Sequence, residues 1–322
     1  MSNSSQTKEA LPFDLFAGFE RIPNINPIFY CEPPEWAAAA HAVVVGDTIH
    51  YLWARRREDN YWMLMHSTAP ASDPAAVTHD SRNPILLPSE QDGFDDFTVE
   101  YPFPFLNPAD GNFYAYYLGR RKRPPKQTGL LVSDGDLGQW TRVTNEPVIP
   151  VEFPFEEKGS SHPSVVVDDE TIHILYTGES TGPPVLCHAT APTNDPANVT
   201  KNPANPIFRG SGQAWDSHGV REAEIFKGPQ YFHILYGGSD GSPTGVYKEH
   251  WQIGHIRTRD FITFEPNPHN PIFTPSADSN EWDCDGLLTP QVFETVNGYY
   301  MLYAGLRERE WQSGLAKVSK DR

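Results

Sequence analysis

One tetrapeptide governs what this chain can become. Asn26-Pro27-Ile28-Phe29 returns as Asn83-Pro84-Ile85-Leu86, Glu146-Pro147-Val148-Ile149, Asn205-Pro206-Ile207-Phe208 and Asn270-Pro271-Ile272-Phe273, its prolines 57, 63, 59 and 65 residues apart. Spacing this regular marks one supersecondary unit used repeatedly, and such a unit buries its apolar faces only against its neighbours. The repeat runs across most of the 322 residues. It leaves no room for a second independent unit, so one domain over 1–322 is expected, with residues 1–15 as a flexible N-terminus.

Between successive tetrapeptides the same order recurs. In the third repeat an apolar run from Pro163 to Val167 leads through Asp168, Asp169 and Glu170 to Ile172–Tyr176 and Gly178. The fourth has Ala223–Phe226, a turn at Lys227–Gln230, and Phe232–Tyr236 with Gly237 and Gly238; the fifth has Pro290–Phe293, Asn297-Gly298, and Tyr299–Tyr303 with Gly305. The first and second repeats follow suit with His41–Val45 and Ile49–Trp53, and with Pro102–Phe105 and Phe113–Tyr117. Short runs rich in β-branched and aromatic residues, split by Asp-Gly or Asn-Gly, predict hairpins.

Third strands are expected at Trp62–Ala69, Thr128–Asp134, Val185–Ala191, His255–Asp260 and Ser313–Ser319, with the tetrapeptide as the outer edge. Four strands repeated five times predict an all-β, five-bladed β-propeller. The last repeat stops after its third strand, whereas the first tetrapeptide precedes any strand of its own. The N-terminal segment is therefore expected to supply the outer strand of the last blade and close the ring.

Composition narrows the partners. There are 42 acidic against 25 basic side chains, a formal charge of -17, which disfavours nucleic acid or an anionic membrane surface. Cys31, Cys187 and Cys284 are too few and too scattered for a disulfide framework. Met1–Ala10 shows no basic start followed by an apolar stretch, and no run approaches the roughly 20 apolar residues of a membrane helix. A cytoplasmic location is expected. Asn198-Val199-Thr200 matches a glycosylation acceptor, which has meaning only on a secretory route.

A second pattern precedes each first strand. Trp215–Phe226 aligns without gaps with Trp282–Phe293, and Phe155–Val166 and Phe94–Phe105 take the same frame. The aromatic and the acid at its head recur and read as scaffold. The residues next to the Pro/Ala position differ. Directly before it stand His41, Tyr101, His162, Glu222 and Thr289, preceded by Ala40, Glu100, Ser161, Arg221 and Leu288. In a propeller the innermost strands begin around the axis, so these residues are expected to rim one cavity.

The repeat unit, the acid-rich approach to each blade and the Tyr/Leu/Tyr-Gly second strands resemble the five-bladed β-propeller glycoside hydrolases. That superfamily holds the arabinofuranosidase and xylosidase family 43 and the fructan-active families 32 and 68. The resemblance implies an aspartate before the first-strand proline of the first blade, a second aspartate in a later blade, and a glutamate in Glu-Gly-Pro or Glu-Cys-Pro. This chain has His41 at the first place, and Glu100 of Glu100-Tyr101-Pro102 takes the glutamate's place but in the second blade. Glu222, in Glu222-Ala223-Glu224, sits one residue closer to the strand than that pattern.

Glycosidic hydrolysis uses one carboxylic acid to protonate the leaving oxygen and a second carboxylate to act on the anomeric carbon or on water. Glu100 and Glu222 are the expected pair, with His162 and Asp285 as further catalytic candidates. Arg221 or a histidine would set the two pKa values apart. Substrate contacts are expected from His41, Tyr101, Arg221, His218, Glu224, and the rings of Trp36, Trp215 and Trp282. That reading requires no cofactor. A second reading places a divalent metal on the axis, held by His41, His162 and a carboxylate, for a lyase or metal-assisted hydrolysis. A third is a non-catalytic carbohydrate-binding propeller. His50, His173 and His233 fall at matching second-strand positions and read as structural. The basic run Arg120–Lys126 reads as a solvated loop, with an anionic sugar or a subunit as its alternative partner.

Overall fold

The computed structural model describes residues 10–90, 93–243 and 249–318. A short helix α1 (Phe13–Ala17) is followed by β1 (Glu20–Arg21), and then by β2 (Trp36–Val45), β3 (Thr48–Arg56), β4 (Trp62–Pro70) and β5 (Thr78–His79). Next come β6 (Thr98–Leu106), β7 (Phe113–Arg120), β8 (Lys126–Ser133) and β9 (Thr141–Arg142), then β10 (Gly159–Asp168), β11 (Thr171–Glu179), β12 (Val185–Pro192) and β13 (Thr200–Lys201). The chain ends through β14 (Gly219–Lys227), β15 (Phe232–Ser239), β16 (Trp251–Thr258), β17 (Phe264–Pro266), β18 (Gly286–Thr295), β19 (Gly298–Arg307) and β20 (Glu310–Val318). The fold is all-β. Among the described residues no helix is long and apolar enough to cross a membrane.

Antiparallel pairing runs β2–β3–β4–β5, β6–β7–β8–β9, β10–β11–β12–β13 and β14–β15–β16–β17. The last group is β18–β19–β20, completed by β1 through Glu20↔Lys317 and Arg21↔Ala316. The first strands of the groups touch in cyclic order, β2 to β6, β10, β14, β18 and back to β2. Of the stretch expected to be flexible, residues 1–9 lie outside the described residues; Ser319, the expected end of the last third strand, does too. Residues 13–15 correct the expectation, because α1 buries Leu15 and Phe16 and stacks the Phe16 ring on His255 and His233, centroids 4.0 and 4.5 Å apart.

The structure explains the tetrapeptide. Its asparagine amide makes two bonds to one third-strand residue. Asn83 accepts from His66 N–H at 2.7 Å and donates to its carbonyl at 2.7 Å. Asn205 does so with His188, Asn270 with His255 and Asn26 with Leu315. The last apolar residue then forms a single β-bridge, as in Phe29↔Ser313, Leu186↔Phe208 and Ile253↔Phe273. The paired outer strand is a separate two- or three-residue element ahead of the motif. The tetrapeptide is thus a clamp behind the fourth strand rather than the strand itself. In the last group that clamp joins the two ends of the chain. Phe29, fully buried with Tyr51, Trp53, Leu302 and Leu315, contributes about 1.5–3 kcal/mol by its burial.

The aromatic–acid pairs ahead of the first strands are scaffold, as expected. Asp95, Glu156, Asp216 and Asp283 are buried and accept hydrogen bonds from Tyr117, Tyr176, Tyr236 and Tyr303 at 2.7–3.1 Å. Trp215 packs on Gly238 and Gly254, where a Cβ would stand 2.4 and 2.3 Å from its ring, and Trp282 covers Gly305 and Gly314 in the same manner. The structural reading of His50, His173 and His233 also describes their surroundings. Each lies 3.1 Å, ring nitrogen to ring nitrogen, from a third-strand histidine: His66, His188 and His255.

Candidate active site

Each first strand carries a bulge at the same register. The shifts fall between Ala38 and His41, Glu100 and Phe103, Ser161 and Ser164, Arg221 and Glu224, and Leu288 and Gln291. Inside each, one non-glycine residue adopts left-handed backbone: Ala39, Tyr101, His162, Glu222 and Thr289, with φ between 50° and 55°. Such conformations cost about 1–3 kcal/mol each and persist where surrounding structure enforces them. Here the bulge turns Tyr101, His162 and Thr289 toward Glu222.

This register corrects the alignment of the first repeat. His41 is two residues past the bulge and matches Phe103, Ser164, Glu224 and Gln291, whereas Ala39 matches Glu222. The alanine-rich run Ala37–Ala40 offers no side-chain signal by which the slip shows in sequence. His41 is fully buried, its Nε2 2.8 Å from Glu224 Oε1, its ring against Phe103. Gln291 braces this lower layer through the backbone of Ala42. His41 and Glu224, expected to meet substrate, do not line the cavity.

That cavity, about 230 Å³, is walled by Glu100, Tyr101, His162, Arg221 and Glu222. Four tryptophans, Trp36, Trp62, Trp251 and Trp311, and the cations Arg56, Arg120 and Lys126 complete most of its lining. The 2 % exposed Glu222 is held from several sides. Tyr101 and Thr289 hydroxyls donate to Oε2 at 3.1 and 3.0 Å, while Arg221 Nη2 lies 2.9 Å and His162 Nε2 3.5 Å from Oε1. Burial pushes the Glu100 carboxyl above its usual range, with Lys126 and Arg120 opposing. Burial, aided by Lys126 and Arg221, pushes His162 well below the usual imidazole range. The two carboxylates thus face one space from unlike surroundings, Glu100 from a desolvating one and Glu222 from one crowded with donors.

The other expected contacts fall elsewhere. His218 is largely exposed beside Glu249. Asp285 accepts from Glu308 N–H at 2.6 Å in a turn between strands. Neither lines the cavity, and nor do Trp215 and Trp282, which their glycines hold flat against the sheets. Trp36, one position into β2, does line it, with the Arg56 guanidinium 4.1 Å over its ring. The set expected for a divalent metal does not assemble. Nε2 of His41 is committed to Glu224 and Nδ1 of His162 to Ser161, and among the described residues no three His, Cys, Asp or Glu side chains converge as ligands.

Several residues at or behind the wall escaped the sequence reading or, like Arg120 and Lys126, were read as a solvated loop. Arg56, Arg120 and Glu179 occupy one ladder position, the second-strand partner of the first residue of the inner strand. Trp62, Lys126 and Trp251 open third strands directly opposite. Comparing strand ends across repeats, rather than only strand starts, would have found them. The run 120–126 is accordingly not one solvated loop: 121–123 are exposed, but both ends are strand-paired and reach the cavity. Glu179, behind Lys126, accepts from Lys126 Nζ at 3.0 Å on both oxygens and from Ser161 Oγ at 2.7 Å. Burial alone would raise its carboxyl, but Lys126, Arg221, His162 and Ser161 outweigh it and hold it below the usual carboxylate range.

Known proteins agree with this architecture. A glycosyl hydrolase from Bacteroides ovatus superposes with a TM-score of 0.75 at 16% identity, covering 97% of this chain and 96% of that one. A structure from work on the GH130 family of mannoside phosphorylases, which contains glycoside hydrolases that target β-1,2-mannosidic linkages in Candida mannan, gives 0.74 at 16% identity, covering 97% and 96%. A thermostable family-43 glycoside hydrolase gives 0.67 at 12%, covering 90% and 91%. In sequence, a β-1,2-mannobiose phosphorylase of Thermoanaerobacter sp. (strain X514) is 28% identical over 104 residues, which is 30% of this chain and 33% of the relative. No protein-family model matches. The chain has the fold of the β-propeller glycoside hydrolases and mannoside phosphorylases.

Proposed function

We propose that this chain is a single-domain, five-bladed β-propeller enzyme that cleaves a glycosidic bond of an oligosaccharide in its axial cavity. The observation that carries the reading is the placement of Glu100 and Glu222 on one cavity wall in opposed surroundings. Glu100, whose carboxyl burial pushes above its usual range, protonates the leaving oxygen. Glu222, fixed by Tyr101, Thr289 and Arg221, acts as the carboxylate toward the anomeric carbon or an attacking water. Trp36, Trp62, Trp251 and Trp311 supply apolar faces for sugar rings. The names of the relatives favour a β-mannoside as substrate.

One observation favours a second reading, phosphorolysis. Arg56, Arg120, Lys126 and Arg221 make the cavity wall rich in cations, although the chain as a whole carries -17. Inorganic phosphate held there would attack the anomeric carbon in place of water, giving a sugar 1-phosphate.

A panel of β-mannosides and aryl glycosides, incubated with and without phosphate, separates the readings. Free sugar without phosphate supports hydrolysis, and sugar 1-phosphate that requires it supports phosphorolysis. No turnover of any glycoside under either condition sinks both and leaves a binding propeller.

A further inference from the structure

We propose that Ser161 and Glu179 hold His162 as the tautomer protonated on Nδ1, so that its Nε2 and Glu222 Oε1 form a paired acceptor for one hydroxyl of the bound sugar. Ser161 Oγ lies 2.7 Å from Glu179 Oε1 and 2.7 Å from His162 Nδ1. It has one hydrogen to give. Glu179, bridged on both oxygens by Lys126, is an ionised carboxylate that only accepts, so the Ser161 hydrogen points to it. The lone pairs of Oγ then face Nδ1, and that nitrogen must bring the proton. A direct approach of Nδ1 to Glu179 Oε1, at 3.3 Å, draws the proton to the same side.

A neutral imidazole carries one N–H. The groups acting on this ring are Lys126, Arg221, Glu179, Glu222 and His41; burial and the cations keep it neutral. Nε2 is therefore a bare acceptor. It stands 3.5 Å from Glu222 Oε1, longer than a hydrogen bond. The Tyr101 ring, edge-on to the imidazole at 4.2 Å and 89°, fixes its plane. Two acceptors side by side at a cavity wall suit a ligand hydroxyl whose hydrogen lies between them. Ser161 and Glu179 act through His162 and are positioning residues.

The use of the pair on a sugar rests on the glycosidase reading, but the tautomer belongs to the free enzyme. Nitrogen-15 spectra of the full chain labelled at histidine, with His162 assigned by His162→Gln, read it directly. An Nδ1-protonated His162 is expected in the wild type. In Glu179→Gln, Lys126 draws the amide oxygen, the amide nitrogen donates to Ser161, and Ser161 then donates to Nδ1. The proton should move to Nε2, and kcat/KM on the best glycoside should fall about ten- to a hundred-fold. Ser161→Ala should keep the wild-type tautomer through the direct approach of Nδ1 to Glu179. Nε2 protonation in the wild type, or an unchanged tautomer in Glu179→Gln, overturns the inference and leaves the glycosidase reading untouched. Failure of every glycoside to react does the reverse.

Discussion

His41 Nε2 lies 2.8 Å from Glu224 Oε1, with both side chains buried one layer beneath the cavity floor. The pair ties the first repeat to the fourth at the axis, and burial raises the Glu224 carboxyl against the pull of His41, with Glu222 adding to the rise. Truncating one member strands the other. His41→Ala is expected to lower stability by about 1–3 kcal/mol, the cost of an unsatisfied buried polar group, with KM unchanged. Urea denaturation beside kinetics checks this, and a wild-type unfolding midpoint with a raised KM would return His41 to the substrate.

Glu100 should set the alkaline limb of the pH–rate profile. A proton donor works only while protonated, so activity is full below its raised pKa and falls as pH climbs through it. Glu100→Gln should cost about 10²- to 10⁴-fold in kcat. Arg120→Met removes a cation that opposes the raised value, so the limb should move to higher pH. A profile that does not move in Arg120→Met argues for another donor.

Acid should loosen the second- and third-strand histidine pairs. Burial pushes His188 and His233 down to about 3, whereas in the unfolded chain each binds a proton near 6.5. Their stabilisation is complete above that unfolded value. It is lost as pH falls toward 3, at about 1.4 kcal/mol per pH unit for each group. Unfolding free energies at pH 7, 5 and 4 should fall less steeply in His188→Gln than in the wild type, and equal slopes would refute the assignment.

The N-terminal helix should contribute to global stability. Phe16 caps His233 and His255 as Phe261 caps His173 and His188, its ring 4.0 Å from His188. Phe16→Ala is expected to cost about 3–5 kcal/mol, read as a drop in Tm. A negligible shift would mean that the helix docks without supporting the sheet behind it.

Gly254→Ala would place a Cβ 2.3 Å from the Trp215 ring. Overpacking of about 1–3 kcal/mol is expected, with activity retained by the folded fraction. Loss of activity without loss of stability would instead put Trp215 back among the substrate contacts.

The architecture was legible because it is written five times. The Asn-Pro tetrapeptide, the Tyr-Gly second strands and the Trp-Asp or Phe-Glu heads each mark one place in a unit, and repetition separates scaffold from variation. All five wall residues named first, Glu100, Tyr101, His162, Arg221 and Glu222, follow from aligning repeats on the proline or alanine after the bulge. His41 misled because the first repeat has alanines on both sides of its bulge, so a two-residue slip changes nothing apolar while putting a residue of the lower layer in the place of the one inside the bulge. Glu179 was missed, and Lys126 read as part of a solvated loop, for another reason. Their signal lies in a cross-strand partner, and pairing register becomes visible only once both strands are placed.

The left-handed residue in each inner strand separates position from identity. Backbone geometry at Ala39, Tyr101, His162, Glu222 and Thr289 is nearly the same, although the five side chains share no chemistry. Orientation is thus inherited from the scaffold, and reactivity from a single codon. Ala39 shows the separation most plainly: it keeps the bend while bringing no polar group, so what these positions carry can change without any strand being rebuilt.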